Sequence, residues 1–376
     1  MAGFSFGDLS RYPDIEAGNL FAVDAADRLI LDEAADEVVA SGNNAVVIIG
    51  DRYGALTLGA ADLLDDEDSL RVHQDSITGE LALANNAAVL APDAGFTQYA
   101  LGRELLTGAR VVLLQLPRSL EALDQIADAV ARWAADDVVL FAGGLTKHMT
   151  PAMNEVLRKY FGTVRAGLGR QKARVITARE VQRPGTEPEP TARQFHQDLG
   201  LWVCSAPGTF AGTKVDIGTR FLLGFLPRLE TSSGAAVDLG CGTGIIAARL
   251  AALYPELQVS ATDQSAAAVE SAAATAAANG LAGHVNAVRD DAMGSFPDAS
   301  VDLVVCNPPF HAGAAVHAGA ALKLFGAAAR VLRPGGELLV VYNSHLDYRS
   351  RLRSTVGPTQ QLGRNRKFTV TRSIRR

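Results

Sequence analysis

The sequence has few of the features that mark exported, membrane-spanning or zinc-binding proteins. Its three cysteines, Cys204, Cys241 and Cys306, are scattered, with no C-x-x-C pair and no neighbouring histidines to complete a zinc site. The N-terminal residues MAGFSFGDLS contain neither a basic leader nor an apolar segment. No stretch approaches the roughly 18 continuous apolar residues that span a bilayer. We therefore expect a cytoplasmic protein with reduced thiols, no metal and no membrane contact.

Length and composition favour two globular domains. The chain has 376 residues, of which 48% are hydrophobic and 20% charged. A chain of this length usually folds as two domains, and these fractions are not those of a disordered protein. Both domains can therefore bury a core of their own.

The formal net charge of −6 conceals two strongly basic segments. Residues 158–183 contain eight basic residues and one acidic residue, and residues 343–376 contain nine basic residues and one acidic residue. Clustered lysine and arginine side chains bind the phosphates of nucleic acids. The alternative interpretation is two solvated faces at the ends of the domains.

The segment 182–195, QRPGTEPEPTARQF, has the composition of a linker, with three prolines and alternating charges. We therefore predict domains at 1–181 and 196–376. In the second domain, strand-like and helix-like runs alternate, which predicts a doubly wound, mostly parallel α/β sheet. The predicted strands contain AAVDLG, QVSATD, HVNAVRDD, VDLVVCN and ELLVVYN, and the predicted helices lie near 244–253, 265–278 and 318–332.

The first domain can be laid over the second. NAVVIIGDRYGAL at 44–56 matches AAVDLGCGTGII at 235–246 with a shift of 190, which leaves Arg52 where Gly242 stands. VVLLQLPRS at 111–119 matches DLVVCNPPF at 302–310 with a shift of 191. Two matches at nearly one offset indicate a duplicated domain whose first copy is degenerate. Chance similarity of apolar strands is the alternative.

A glycine-rich turn, VDLGCGTG, follows the first predicted strand of the second domain. Asp238 precedes Gly240, Gly242 and Gly244. Glycine allows close approach of the backbone to a ligand and tolerates positive φ. Nicotinamide-binding folds use a similar turn, but their spacing is G-x-G-x-x-G instead of G-x-G-x-G. The turn therefore predicts a cofactor site without naming the cofactor.

Two acidic residues end the next predicted strands. Asp263 is placed to accept hydrogen bonds from ribose hydroxyls, and Asp291 from an adenine amino group. For Asp263 the alternative is a helix cap, a role that Ser265 can also fill. For Asp291 the alternative is a solvated turn.

The most informative motif is Asn307-Pro308-Pro309-Phe310, which ends a buried strand. The amide oxygen of Asn307 and the carbonyl of Pro308 can accept hydrogen bonds from the two N–H groups of a planar exocyclic amine. These bonds favour a pyramidal nitrogen whose lone pair can attack a methyl group. The prolines restrict φ, and Phe310 offers a flat face on which an extruded base can stack. This combination predicts methylation of such an amine and has no use in hydride transfer.

At these motifs the chain resembles a known family. Residues 200–376 resemble a class I S-adenosylmethionine-dependent methyltransferase. NPPFH, with PGTFAGTKVDIGTRFLL at 207–223, is similar to the tandem-domain bacterial rRNA guanine-N2 methyltransferases. YNSHLDY at 342–348 and NRKF at 365–368 resemble the member acting on the large ribosomal subunit more than the small-subunit one.

The resemblance implies a site, a cofactor and a partner. The cofactor is S-adenosylmethionine, and the partner is ribosomal RNA or a ribosomal subunit precursor, with a monomer favoured for the protein itself. Lys214 departs from the small residue expected in the loop 210–218, and we assign no chemical role to His311. The expected cofactor-binding residues are Asp238, Gly240, Gly242, Gly244, Asp263, Asp291 and Asn307, and the expected catalytic residues are Asn307, Pro308 and Phe310.

Other functions remain open at this stage. Adenine-N6 and protein glutamine-N5 methyltransferases share the two-proline motif, although the latter usually carry Tyr at the place of Phe310. A non-catalytic RNA-binding or assembly factor that keeps a cofactor fold is an alternative of another class. For the first domain we expect RNA docking or scaffolding without chemistry.

Overall fold

The computed structural model shows one architecture twice. It describes residues 5–42, 44–64, 69–186, 191–309 and 314–376. The chain divides into two compact units, Met1–Glu189 and Pro190–Arg376. Each contains a seven-stranded sheet with helices. The prediction of two α/β domains with doubly wound, mostly parallel sheets is confirmed.

The first unit alternates strands and helices along its length. Short 3-10 helices lie at Phe6–Asp8 and Thr146–His148. The other elements, in chain order, are α1 Ala25–Ser41, β1 Val46–Ile49, α2 Ala55–Ala61, β2 Ser69–His73, α3 Ile77–Leu90, β3 Gly95–Gln98, α4 Arg103–Leu106, β4 Val111–Gln115, α5 Leu120–Trp133, β5 Val139–Leu145, α6 Pro151–Arg158, β6 Phe161–Ala166 and β7 Ala173–Val181.

The second unit begins with an additional strand pair and then repeats the pattern. A 3-10 helix lies at Leu226–Arg228. The other elements are β8 Ala192–His196, β9 Leu201–Ser205, α7 Ile217–Leu223, β10 Ser233–Leu239, α8 Ile245–Leu253, β11 Glu256–Asp263, α9 Ala266–Ala278, β12 Val285–Arg289, β13 Val301–Cys306, α10 Ala314–Val331, β14 Leu332–Asn343, α11 Arg349–Thr355, β15 Thr359–Arg364 and β16 Phe368–Ile374. Strand β8 overlaps the end of the segment predicted to be a linker.

The strand order is the same in both sheets. It runs β3-β2-β1-β4-β5-β7-β6 in the first unit and β12-β11-β10-β13-β14-β16-β15 in the second. Strands β7 and β16 run antiparallel to their neighbours, so each sheet ends in a hairpin. The order reverses between β1 and β4, and between β10 and β13. In such sheets, ligands bind at the carboxyl ends of the two strands that flank this reversal.

Matching glycines support the predicted duplication. Gly54 and Gly244, related by the shift of 190, begin α2 and α8 with φ of 99° and 73°. Gly50 and Gly240 also share a left-handed φ, at 79° and 73°. Both units therefore keep the strand-to-helix turn that the sequence alignment predicted.

The central strands are buried on both faces, as their apolar runs indicate. All four residues of β1 are buried, as are five of the six residues of β13. Sheets covered by helices on both faces have strands of this kind. Among the helices of the described residues, none has the length and apolar character to cross a membrane.

The β8–β9 hairpin attaches to the second unit through helix α9. Two side chains of α9 and that of its C-terminal capping residue form hydrogen bonds with the edge of β9 that does not pair with β8. Ser271 Oγ accepts from the Ala206 amide, Thr275 Oγ1 accepts from the Cys204 amide, and Asn279 exchanges two bonds with the Trp202 backbone. Four helical residues rise by about 6 Å and two strand residues by about 6.6 Å, so the spacings match. The helix thus takes the place of a neighbouring strand.

Substitution of Gly244 by Ala should destabilise the second unit by more than the strain of placing Ala at a positive φ. A Cβ at this position would lie 2.7 Å from the Ala272 Cα. We expect urea denaturation to show a loss of about 2–5 kcal/mol, combining positive-φ strain and overpacking. Gly280, with φ of 70° and nothing within 4 Å of a Cβ, is the control and should lose only the strain part. Equal losses would contradict the role of the close helix contact.

Candidate active site

The predicted site residues meet at the carboxyl ends of β10 and β13. These strands are parallel neighbours, with Leu239 opposite Cys306. The glycine turn follows β10 directly, and Asn307 follows β13. The structure therefore brings together two motifs that are more than sixty residues apart in the sequence.

The glycine turn leaves an open space beside its backbone. Gly240 and Gly242 have φ of 73° and 51°, and a Cβ on either would meet no atom within 4 Å. The amides of Gly240 and Cys241 both donate to the Thr262 carbonyl, at 2.8 and 3.0 Å. The turn is thus anchored to β11 while its outer side stays open, as a backbone cradle for a cofactor requires.

Asp238 is a buried carboxylate with one oxygen to spare. Its Oδ2 accepts from the Ala247 amide at 2.9 Å, and its Oδ1 is buried without a hydrogen-bond partner in the described part of the chain. Burial raises the pKa of Asp238 to about 7, although the Ala247 hydrogen bond opposes this increase and Asp263 adds to it. A buried acceptor without a partner is costly unless a ligand completes it. Asp238 therefore suits a cationic ligand group.

Asp263 supports the glycine turn and is not needed as the helix cap. Its Oδ2 accepts from the Gly242 amide and its Oδ1 from the Ser265 amide, both at 3.0 Å. The side chain of Ser265 caps α9 by accepting from the Ala268 amide. Both carboxylate oxygens of Asp263 therefore hold backbone amides beside the glycine turn and before α9.

Asp291 and its neighbour Asp290 have different surroundings. Asp291 forms an ion pair with Lys323, at 2.6 Å between Oδ2 and Nζ. Asp290 is buried and accepts from both the amide and the hydroxyl of Ser295. Asp291 is therefore ion-paired, whereas the alternative considered from the sequence was a solvated turn. The sequence did not indicate Lys323 as its partner.

The carboxamide of Asn307 is held in one orientation. Its Nδ2 donates to Asp216 Oδ2 at 3.2 Å and to Thr219 Oγ1 at 2.8 Å. A carboxylate only accepts, so the nitrogen must face Asp216, and Oδ1 must point the other way. Asn307 Oδ1 is buried and has no partner among the described residues. Its role as the acceptor of a substrate amine stays a prediction.

The rest of the corner is described only in part. Pro308 is buried and Pro309 is exposed. Phe310, predicted to stack a base, lies outside the described residues, and so does His311. Their predicted roles stay predictions.

Two residues that orient Asn307 were missed by sequence reasoning. Asp216 caps helix α7 by accepting from the Gly218 and Thr219 amides, at 2.8 and 3.1 Å. An aspartate before a helical run signals such a cap. Nothing in the sequence signals its second role at Asn307. Lys214, two residues earlier, is exposed, and its amide closes a turn onto the Ala211 carbonyl.

The three cysteines do not provide a nucleophile. All are buried and unpaired. Burial raises the pKa of the Cys241 thiol well above its ordinary value, and also raises that of Cys306. A thiol of this kind stays protonated near neutrality. Among the described residues, no group of histidine, cysteine and acidic side chains is arranged to hold a metal ion.

In the first unit, side chains bridge the equivalent position. Arg52, aligned with Gly242, donates to Gln115 Oε1 at 2.8 Å. Gln115 at the end of β4 donates in turn to Asp27 on α1. Asp51 is buried and accepts from the Gly54 and Thr57 amides. The first unit thus closes its turn with internal hydrogen bonds where the second leaves it open.

The two basic segments differ in how far their charge is compensated. In the segment 158–183, five cations have acidic partners within 4 Å, namely Arg158, Lys159, Arg170, Arg179 and Arg183. In the segment 343–376, Arg372 alone forms such a pair within the described residues. Most of the positive charge of the second segment is therefore not compensated by acidic partners among the described residues.

Comparison with known proteins covers nearly the whole chain. The RLMG N-terminal domain model matches residues 3–182, and the methyltransferase small domain model matches residues 200–372. Ribosomal RNA large subunit methyltransferase G of Shewanella amazonensis is 34% identical, with 98% of this chain and 96% of that protein covered. The protein of the same name from Streptomyces coelicolor is also 34% identical, over 98% of this chain and 97% of that one.

A solved structure shares the tandem fold. The T. thermophilus 16S rRNA N2 methyltransferase, determined with AdoMet and guanosine, has a TM-score of 0.74 and 22% sequence identity, and the match covers 96% of this chain and 97% of that one. Together with the full-length sequence similarity above, the two matching domain models show that this chain belongs to the ribosomal RNA large subunit methyltransferase G family.

Proposed function

We propose that this protein transfers a methyl group from S-adenosylmethionine to the exocyclic N2 of a guanine in ribosomal RNA. The observation that carries the proposal is the orientation of Asn307, whose buried Oδ1 is without a partner among the described residues. An acceptor held in this way is complementary to an amine N–H. The names of the relatives favour the large-subunit RNA as the substrate.

The residues around the glycine turn fit the cofactor. The open backbone at Gly240 and Gly242 would receive the methionine part, and the spare oxygen of Asp238 its ammonium group. Asp263 would accept from the ribose hydroxyls, and Asp291 would face the adenine beside Lys323. When bound, S-adenosylmethionine supplies a methyl group activated by a sulfonium.

Catalysis then depends on positioning instead of proton transfer. Asn307 Oδ1 and the Pro308 carbonyl would accept hydrogen bonds from the two N–H groups of guanine N2. These hydrogen bonds would direct the nitrogen lone pair towards the methyl donor. Neither group titrates near neutral pH. The cysteines stay protonated, so the chain offers no thiolate for a covalent intermediate. The arrangement supports direct in-line transfer, in which the nitrogen would gain the methyl group, one of its two N–H protons would leave to water, and the sulfonium would become a thioether.

The alternatives considered from the sequence are less well supported. Glutamine and adenine methyltransferases share the two-proline corner, but the full-length relatives are named as ribosomal RNA enzymes. A non-catalytic assembly factor would not need an acceptor oriented by two hydrogen bonds. For the first unit we propose RNA docking without chemistry. Its exposed cations Arg118, Lys147 and Lys172 lie just beyond strand ends at the carboxyl edge of the sheet.

Replacement of Asn307 by Ala should abolish most turnover but keep cofactor binding. Loss of a preorganised hydrogen-bonding group typically lowers kcat by about 100- to 1000-fold. Methyl incorporation into protein-free rRNA measures turnover, and calorimetry with S-adenosylmethionine measures affinity. Thr219→Val should lower turnover by a smaller factor because it only loosens the orientation of Asn307. Asn154→Ala, at an exposed site on α6, is the control, and near-native activity of the Asn307 variant would contradict the assignment.

The affinity for S-adenosylmethionine should fall as the pH drops from 7.5 to 5.5. The folded pKa of Asp238, about 7, lies above its ordinary 3.8, so its ionised form is present above pH 7 and lost below it. The carboxylate binds the methionine ammonium, so the loss approaches about tenfold per pH unit. The unfolded chain loses the Asp238 proton at a lower pH than the folded protein does. This group therefore lowers the stability of the ligand-free protein as the pH rises from 3.8 to about 7.

Equilibrium dialysis against pH tests this expectation. 5′-Methylthioadenosine, which lacks the ammonium group, should bind independently of pH in the same range. Asp238→Asn should flatten the profile for S-adenosylmethionine. An affinity of the native protein that does not change with pH would remove Asp238 from the ammonium site.

Charge reversal at the tip of the β15–β16 hairpin should weaken RNA binding. The tip residues Arg364, Arg366 and Lys367 are exposed. Asn365 Oδ1 holds the turn by accepting from the Lys367 and Phe368 amides, at 2.8 and 2.7 Å. The tip lies at the carboxyl edge of the sheet, because Phe368 pairs with Asn343 at the end of β14. It is therefore on the same edge as Asn307.

Replacing these three cations by Glu should reduce affinity and flatten its dependence on salt, by about 0.7 in logarithmic slope for each phosphate contact to single-stranded RNA. Fluorescence anisotropy of labelled RNA at several salt concentrations measures the slope. Arg353, Arg375 and Arg376 provide the matched control, because they lie towards the opposite edge of the sheet and carry the same charge. Equal effects of the two triple variants would show that only net charge matters.

A further inference from the structure

Two aromatic side chains are exposed on the β8–β9 hairpin. Phe195 and Trp202 are register partners, and their ring centroids are 5.3 Å apart at 56°. They are 46% and 36% exposed. Large aromatic side chains stabilise a fold most when they are buried. Two neighbouring aromatic side chains that are exposed are therefore typical of a binding surface.

A cation completes this surface. The guanidinium carbon of Arg193 lies 5.3 Å from the centre of the Trp202 ring. Arg193 precedes Phe195 by two residues and therefore shares its face of the strand. It is exposed and forms no ion pair within the described ranges. We refer to Arg193, Phe195 and Trp202 as the aromatic platform.

The aromatic platform is rigidly supported. The edge of β9 that does not pair with β8 forms hydrogen bonds with Thr275 of α9 and with Asn279, the residue that ends this helix. On the other strand, His196 Nε2 lies 2.8 Å from the Thr213 carbonyl, and Thr213 Oγ1 donates to Gln194 at 3.2 Å. A preorganised surface loses little conformational entropy when a ligand binds.

The aromatic platform is connected to the catalytic corner through helix α7. Asp198, in the hairpin turn, forms an ion pair with Arg220 of α7. The preceding residue, Thr219, accepts the hydrogen bond of Asn307 at 2.8 Å. From Thr213 the chain continues to Asp216, which also holds Asn307. The hairpin and the target amine are therefore positioned by the same helix.

We infer that the aromatic platform stacks an unpaired base of the RNA strand that carries the methylated guanine. Aromatic faces beside an arginine bind single-stranded nucleic acid without strict sequence preference, through stacking and phosphate contact. The positive charge of Arg193 favours the polyanionic RNA over a protein surface that is poor in acidic residues. This inference rests on the proposed RNA substrate. A flanking base held here would keep the strand open while the guanine is extruded.

Tryptophan fluorescence tests the contact directly. The chain has two tryptophans, so Trp133→Phe leaves Trp202 as the single reporter. A mixed-sequence single-stranded RNA oligonucleotide should quench the emission of Trp202 to saturation, and a blunt duplex of the same sequence should quench it less. Binding seen by anisotropy of labelled RNA without any change in Trp202 emission would overturn the inference.

Affinity measurements separate stacking from charge. Phe195→Ala should weaken binding of the single-stranded oligonucleotide by about five- to 150-fold, the range reported by alanine substitution for one stacked base, with an unchanged salt slope. Arg193→Gln should reduce that slope by about 0.7. Phe21→Ala removes an aromatic side chain that is 73% exposed in the first unit and should change neither quantity. S-adenosylmethionine affinity and melting temperature check that each variant is folded.

The remaining outcomes distinguish the two proposals. If the platform variants bind RNA normally but change the sedimentation of the protein, the surface joins copies of the chain, and the inference is wrong. If the native protein methylates rRNA and the variants bind RNA normally, the inference fails while the proposed function stands. If no methylation is found but Phe195→Ala still weakens RNA binding, the proposed function fails and the platform stands.

Discussion

The hydrogen bonds between Asn307, Asp216 and Thr219 are the constraint on which the proposed chemistry of this protein depends. A free carboxamide can present either its oxygen or its nitrogen to a substrate. Because Asp216 only accepts hydrogen bonds, it binds the amide nitrogen, and the amide oxygen is left without a partner among the described residues. The same carboxylate caps helix α7. The start of that helix and the orientation of the acceptor are therefore determined together.

The two units differ in the turn that follows the central strand, which side chains bridge in the first unit and which is open in the second. Both retain the strand order, the reversal at the central pair of strands and the glycine that begins the following helix. In the first unit, Arg52, Gln115 and Asp27 form a chain of hydrogen bonds across the turn. The second unit keeps glycine at that place, and buried oxygens of Asp238 and Asn307 have no hydrogen-bond partner among the described residues.

Much of the second unit was predictable because its signals are local. Its predicted strands and helices agree with the structure from β10 to β14, and Asn279 and Gly280 end α9 as expected. The duplication was also readable from two sequence offsets. The β8–β9 hairpin was not, because the prolines and charges before it resemble a linker and its support comes from side chains of α9.

The sequence by itself determined the repeated α/β architecture, the glycine turn and the polar corner at Asn307, since each depends on residue types and spacings within a few consecutive positions. Only the tertiary structure decided which atom of Asn307 is available, because its partner Asp216 is 91 residues away. It also decided that most cations of the segment 158–183 are ion-paired, whereas those of the segment 343–376 are largely free of acidic partners within the described residues. Such pairings depend on which distant side chains the packed sheets bring within hydrogen-bonding distance, and no local pattern encodes them.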